Sequence, residues 1–242
     1  GRSQAMNRII PLILAVALFM EQMDSTVIAT SLPAIAADLN VGPITLKLAL
    51  TAYMVSLAIF IPVSGWMADK FGAKKIFRFA IAIFVIGSIC CAVSGSVVEF
   101  VVSRFLQGMG GAMMTPVGRL VLLRTTKRTD LVSAMALLTI PALVGPLTGP
   151  PIGGFITTYF SWHWIFLINV PIGVMGIWLS TIYLPEIETT NPPPMDVIGF
   201  ILSGLAASGV VFGFSVVSLP ALPPFVGIAC IIIGFICGAF YI

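Results

Sequence analysis

Charge is what this chain has least of. Lys, Arg, Asp and Glu make up 9% of its 242 residues, and there is one His. A soluble domain carries roughly 25% charged residues. Apolar residues reach 59%, more than a water-soluble fold of this length can hide. The formal net charge of +3 is no nucleic-acid footprint, so no nucleic-acid partner is expected. Cysteine is scarce as well: Cys90, Cys91, Cys230 and Cys237 all lie in apolar stretches, without metal-ligand spacing or His companions. They read as small buried apolar side chains. A nucleophile–base pair, a phosphate loop and a metal cluster are all missing, so an enzyme is not expected, nor a cofactor or metal. The first apolar run lacks an A-x-A cleavage pattern and reads as a retained span. Gly1–Ala5 are assigned no function.

What the chain has in quantity is long apolar runs, several reaching the roughly 20 residues that cross a bilayer as a helix. An open sheet edge in lipid would leave backbone groups unsatisfied, so an all-α membrane protein is expected. Breaks at charges, Pro and Gly place eight helices near 8–31, 45–67, 76–96, 99–123, 131–158, 163–184, 196–217 and 223–242. Arg2, Arg8, Lys70, Lys74, Lys75, Arg78, Arg124, Lys127 and Arg128 fall on one side of these spans and Lys47 alone on the other. The positive-inside rule then puts the N-terminus in the cytoplasm. Residues 1–7 form a cytoplasmic tail and 8–184 a six-helix bundle. Residues 185–195, with Asn191-Pro192-Pro193-Pro194, form a semi-stiff cytoplasmic linker. Residues 196–242 form two additional transmembrane helices. Trp162-His163-Trp164 opens helix six at the outer surface, its Trp residues read as interface anchors and His163 as an interfacial polar residue.

The charges inside the spans concentrate on helices one and four: Glu21, Asp24, Arg104 and Arg119. Each costs at least about 2.5–3.5 kcal/mol at mid-bilayer, so such residues face a cavity or a partner. Two three-helix inverted repeats would make helices one and four equivalent, with the site at their interface. At a 1.5 Å rise, Asp24 lies about 6 Å and Arg104 about 10 Å to the outer side of their helix centres. The two are expected to pair or to share a water-filled cavity. Asp24 is read as a protonatable carboxylate, since burial favours its neutral form and a nearby Arg its charged form. Glu21, three residues earlier on the same face, either titrates with it as a coupled pair or hydrogen-bonds a neighbouring helix. Arg119, near the cytoplasmic end, is read as snorkelling or pairing with a loop.

Gly65-Trp66-Met67-Ala68-Asp69-Lys70-Phe71-Gly72-Ala73-Lys74-Lys75 is too polar for lipid and reads as a tight cytoplasmic hairpin. Its G-x-x-x-D-K-x-G-x-K-K pattern is similar to the loop between helices two and three of major facilitator transporters. Gly145, Gly149 and Gly153 form a smooth stripe on helix five, and its prolines should bend the helix. The full run, Gly145-Pro146-Leu147-Thr148-Gly149-Pro150-Pro151-Ile152-Gly153-Gly154, resembles the antiporter motif of major facilitator drug exporters. Met23-Asp24-Ser25-Thr26 through Leu32-Pro33 is similar to the helix-one L-D-x-T-x-V-x-x-A-L-P motif of fourteen-helix drug:proton antiporters. Arg104-Phe105-Leu106-Gln107-Gly108 through Ala112 is similar to their R-x-x-Q-G-x-G-x-A motif. Trp162 through Gly173 resembles W-R-W-I-F-x-I-N-V-P-I-G, with His163 in place of the usual Arg.

The resemblance, carried by residues 23 to 173, implies an N-terminal six-helix major facilitator bundle followed by the two extra helices of the fourteen-helix branch. It implies proton-coupled export of lipophilic or cationic drugs across the bacterial inner membrane. Asp24, Arg104 and Glu21 would couple the proton. Gly65, Asp69, Lys70, Gly72, Lys74 and Lys75 would form a conformational latch, Asp69 acting through a helix N-terminus in the opposite half. Gly145, Gly149, Pro150, Gly153 and Gly154 would shape the antiport gate. Phe19, Met20, Met109 and Met113 are candidate substrate-lining residues. The partners implied are a lipophilic small molecule, protons and the lipid bilayer, with a C-terminal bundle or a second copy to close the cavity. A periplasmic adaptor remains open as a further partner, and so do symport and uniport. The rival class is a non-transporting membrane sensor or interaction module built from a transporter half.

Overall fold

The computed structural model describes residues 2–217 together with Ile232, Ile233 and Ile236. Apart from those three residues, the span expected at 223–242 lies outside the described residues, with Cys230 and Cys237. Among the described residues the regular structure is helical throughout: α1 (Arg2–Asp38), α2 (Pro43–Phe71), α3 (Ala73–Ala92), α4 (Val97–Thr125), α5 (Leu131–Tyr159), a short α6 (Trp164–Leu167), α7 (Asn169–Tyr183) and α8 (Val197–Val217). Five segments are long and apolar enough to cross a membrane, namely Ile9–Asp38, Ile44–Phe71, Ala73–Ala92, Arg128–Tyr159 and Trp164–Tyr183. At 29 residues α4 is as long as α5, but Arg104, Gln107 and Arg119 make it more polar.

The helix ends follow local chemistry. Ser96 caps α4 by accepting the Glu99 backbone N–H at 3.2 Å, and Glu99 Oε2 accepts from Gly95 N at 2.7 Å. This is a near relative of the capping box. Pro43 opens α2 in the first turn, where its missing N–H costs nothing. Gly72 separates α2 from α3 at φ 99°, a left-handed conformation that favours glycine.

Several helix ends differ from the sequence expectation: α1 starts at Arg2, and α2 runs on to Phe71 with α3 starting at Ala73, so that only Gly72 interrupts the helices of the expected hairpin. Two further differences involve proline. α1 runs on through Pro33 to Asp38 instead of ending near 31, because a spanning helix tolerates an internal proline where breaking would expose more backbone to lipid. The sixth span is split at Ile168. There Pro171 has no N–H to offer the Leu167 carbonyl four residues back. α5 stays helical through Pro141, Pro146, Pro150 and Pro151.

Glycine sets the helix spacing. α1 packs along α5, while α4 packs against both α2 and α3. Exchanging helix one with four and helix two with five maps the α1–α5 pair onto α4–α2, as two three-helix repeats require. On α5, Gly145 faces Gln22 and Met23, Gly149 faces Thr26, and Gly153 faces Thr30 and Val27. Both helices therefore meet at four-residue steps. On α4, a Cβ at Gly110 would lie 2.5 Å from Phe84 N and 2.6 Å from Ala80 O. At Gly87 of α3 it would lie 2.6 Å from Gln107 Cα.

The core is divided into two. One cluster gathers Leu14, Met20, Phe77, Phe84, Met114 and Val117. The other gathers Ile28, Ile35, Leu46, Phe100, Trp162 and Phe166. The dividing line falls between Met20 and Met23 on α1, between Ala49 and Tyr53 on α2, between Val85 and Cys91 on α3, and between Phe100 and Met113 on α4. Trp162, expected as an interface anchor, belongs to the second cluster at 4% exposure. Its ring packs edge-on against Phe100 and Phe166, and its Nε1 donates to Asp38 Oδ2 at 3.2 Å. Trp164 is exposed and suits an anchor.

The linker after α7 is docked instead of free. Thr190 N donates to the Asp69 carbonyl at 2.9 Å. Trp66 Nε1 donates to the Pro193 carbonyl at 2.9 Å, and Ile187 packs on the first cluster. α8 then lies against α2.

The α3–α4 crossing gives a stability test. Gly110→Ala should lower thermal stability in detergent by about 1–3 kcal/mol, because its methyl meets backbone that cannot turn aside. Gly65→Ala, with open space around its Cβ position, should leave the melting temperature unchanged or raise it slightly, since alanine is the better helix former.

Candidate functional site: a buried charge pair between two apolar cores

The plane dividing the two clusters is polar. Asp24 of α1 and Arg104 of α4 sit there with their side chains 1% exposed, Arg104 Nη1 donating to Asp24 Oδ2 at 2.9 Å. The same Nη1 donates to Gln107 Oε1 at 2.6 Å, and Gln107 Nε2 passes the network to Ser88 Oγ of α3 at 2.8 Å. From α7, Asn169 Nδ2 donates to Asp24 Oδ1 at 3.0 Å and to Ser88 Oγ at 3.2 Å. Four helices thus converge on one carboxylate–guanidinium pair. A buried pair repays its desolvation only when hydrogen bonds satisfy its remaining atoms. Asp24 meets that condition with one donor on each oxygen. Arg104 Nε and Asn169 Oδ1 have no partner among the described protein atoms.

Glu21 is 8% exposed and lies beside this network with its own donors. Tyr53 of α2 donates to its Oε1 at 3.4 Å and Thr115 of α4 to its Oε2 at 3.0 Å. The other face of the arrangement is a cation–π contact, Arg104 Cζ lying 4.3 Å from the Tyr53 ring centroid. The two α1 carboxylates are therefore bracketed by separate partners.

The remaining expected site residues are distributed as follows. In the hairpin, Asp69 Oδ1 accepts from Arg124 Nη2 at the end of α4. Lys74 is nearly buried, donating to the Thr181 carbonyl at 3.2 Å and lying 3.5 Å from Glu186 Oε1. Lys70 lies over the Trp66 ring at 4.9 Å. Gly72 makes the turn, Lys75 is exposed, and Gly65 has open space around it. On α5, Gly145, Gly149 and Gly153 are buried against α1, whereas Pro150 is exposed and Gly154 has nothing within 4 Å of its Cβ position. Of the four candidate lining residues, Met20 and Met113 are core residues at 0% and 3% exposure; Phe19 and Met109 are partly exposed. Arg119 is exposed at the end of α4. His163 stacks on Trp162, with its Nε2 3.8 Å from Asp38 Oδ2 at the end of α1.

Asn169, Gln107, Ser88, Tyr53 and Thr115 hold the site but were not singled out by residue type. Asn169 and Gln107 did carry a signal, as amide side chains in spans where an unsatisfied polar group is expensive. Ser88 carried none, since a serine in a spanning helix ordinarily bonds its own backbone. The pair itself is testable. Arg104→Leu should destabilise the protein by up to about 3–5 kcal/mol in thermal unfolding, because it strands a buried carboxylate. The double variant Asp24→Leu with Arg104→Leu should recover part of that loss. Equal melting of the single variant and the parent would contradict the pairing.

Comparison with known proteins places this geometry in a family. A protein of Yersinia enterocolitica, provisionally named multidrug resistance protein MdtD, is 40% identical over 229 residues, which is 95% of this chain and 49% of that protein. Its namesake in Yersinia pestis is 44% identical over 190 residues, 78% of this chain and 41% of that protein. The chain therefore spans about half the length of the curated relatives it matches. Among solved structures, the POT family transporter PepTSo superposes with a TM-score of 0.70 at 16% identity over 97% of this chain and 52% of its own. The proton:xylose symporter XylE does so at 0.69 and 12%, over 98% and 54%. At such identities the likeness concerns the fold. The Major Facilitator Superfamily pattern matches residues 14–241, and the chain, a multi-pass helical membrane protein, belongs to that superfamily.

Proposed function

We propose that the chain forms the N-terminal portion of a proton-coupled antiporter that exports lipophilic or cationic compounds across the bacterial inner membrane, with its N-terminus in the cytoplasm. The reading takes residues 8–184 as a six-helix bundle, 185–195 as a cytoplasmic linker and 196–242 as two additional helices. The name of the Yersinia relatives supports the drug substrates, and the buried Asp24–Arg104 pair is the observation that carries the proton.

The chemistry follows from the hydrogen bonds. With Asp24 charged, Arg104 and Asn169 each saturate one of its oxygens, tying α1 to α4 and α7. A proton delivered to Oδ2 removes the charge that holds Arg104 and turns an acceptor into a donor facing a cation. The guanidinium must then move, and α4 with it. A proton on Asp24 and the guanidinium of Arg104 compete for the same oxygen, Oδ2. A conformational change that separates the pair therefore alters proton occupancy, which is the linkage an antiporter requires.

The rest of the chain has a place in such a cycle. The close-packed α1–α5 seam carries Asp24 with the antiporter-motif glycines as one body. The Asp69–Arg124 contact ties the hairpin to the end of α4 and serves as a latch. Phe19 and Met109 are the candidates to meet substrate. A C-terminal bundle would close the cavity, rocking against this one about a midplane site.

Asp24→Asn tests the reading in proteoliposomes. It should abolish substrate transport driven by a proton gradient while leaving energy-independent substrate exchange. Undiminished gradient-driven transport would refute it.

A further inference from the structure

Glu21 and Asp24 lie one turn apart on α1, yet among the described residues no hydrogen-bond donor is common to both. What joins them is Tyr53. Its ring face receives Arg104, with Cζ 4.3 Å from the centroid, and its hydroxyl donates to Glu21 Oε1 at 3.4 Å. The residue is 5% exposed, so neither contact is a surface accident.

The surrounding backbone is built to admit it. A Cβ at Gly111 of α4 would fall on the Tyr53 hydroxyl and 3.5 Å from Glu21 Oε1. At Gly108, one turn earlier, a Cβ would lie 2.9 Å from the Tyr53 carbonyl and 2.7 Å from Ser56 Cβ. Two glycines thus clear the wall of α4 where the tyrosine stands, the second of them at the hydroxyl itself.

We infer that Tyr53 is a positioning residue that couples the two α1 carboxylates, pressing Arg104 toward Asp24 with its ring and fixing Glu21 with its hydroxyl. The inference rests on reading Asp24 as protonatable. When Asp24 takes a proton, Arg104 loses its charged partner, and Tyr53 holds a second carboxylate, Glu21, at its hydroxyl while its ring face keeps the guanidinium. Tyr53 therefore bears on whether the guanidinium stays or shifts toward Glu21. The groups bearing on this step are Asp24 and Glu21 from α1, Tyr53 from α2, and Arg104 and Thr115 from α4. Cys91 and Ser88 of α3 stand behind Gln107. Neither α5 nor α7 contains Lys, Arg, Asp, Glu or His.

Infrared titration of the carboxyl stretches in the protein purified from its own membrane tests this without recourse to transport. The bands are assigned by their loss in Glu21→Gln and Asp24→Asn. Tyr53→Phe keeps the ring and removes the hydroxyl, and should displace the Glu21 midpoint by about one pH unit, the scale of a hydrogen bond to a charged group. Gly111→Ala, which leaves both side chains chemically intact, should reproduce that displacement. Tyr53→Leu should displace the Asp24 midpoint as well.

A Glu21 midpoint unmoved in both Tyr53→Phe and Gly111→Ala overturns the inference. So does an Asp24 midpoint unmoved in Tyr53→Leu, because the ring would then hold nothing. Should Tyr53→Leu fail to fold, the other two variants decide. In transport, Tyr53→Phe should displace the pH profile in the parent and add no displacement in a Glu21→Gln background; equal displacement in both backgrounds counts against it. If transport proves independent of protons, the infrared midpoints still settle the role of Tyr53, so the two readings fail separately.

Discussion

A guanidinium and a carboxylate buried side by side in an apolar bundle constrain everything packed around them. Leaving either Asp24 or Arg104 charged and without the other costs several kcal/mol at this depth. The pair also needs hydrogen-bonding neighbours, which is why Gln107, Ser88 and Asn169 lie at one level on three helices. That polar layer interrupts the core and leaves one apolar cluster on each side of it. Glycines allow the helices close enough to complete it: Gly87 meets the Gln107 backbone, and the Gly145–Gly149–Gly153 stripe draws α5 onto the helix that carries Asp24. A bundle held together by apolar contact alone would have no reason to divide at one plane.

The contacts at the end of the bundle that carries the α2–α3 hairpin are of a different kind. The Asp69–Arg124 and Lys74–Glu186 pairs lie at or near the surface, Glu186 being 85% exposed. Exposed ion pairs contribute about 0–1 kcal/mol. In the proposed cycle, contacts that weak suit a hairpin that lets go, and the buried pair suits a centre that changes state when its charge changes. The linker at 185–195 adds backbone hydrogen bonds to the same hairpin. The segment between the bundle and α8 is thereby part of the hairpin's surroundings.

Much of the fold was legible because membrane spans obey few rules. Uniform apolar runs gave the helices, and the rise per residue put Asp24 and Arg104 at comparable depth, where the structure joins them. The Gly stripe on α5 announced a close helix neighbour, though not that the neighbour would be α1. Facing is harder to read than spacing. Trp162 is core and Trp164 is exposed although only His163 lies between them, and of the four candidate lining residues Met20 and Met113 are buried while Phe19 and Met109 are partly exposed. Residue type alone does not say which side of a helix meets lipid, cavity or another helix. The docking of the linker had no sequence signal, because its acceptors are the carbonyls of Asp69 and Pro193, which any residue would supply. Tyr53 escaped notice because a tyrosine in a span is unremarkable until a cation is found on its face.

The central claim is that proton occupancy at Asp24 and the state of the carrier are linked. The most direct measurement is proton release on adding substrate to the purified, full-length protein in weakly buffered detergent solution. Substrate binding should release protons, with a yield that falls as the solution is made more alkaline. Substrate binding with no proton released at any pH would contradict it.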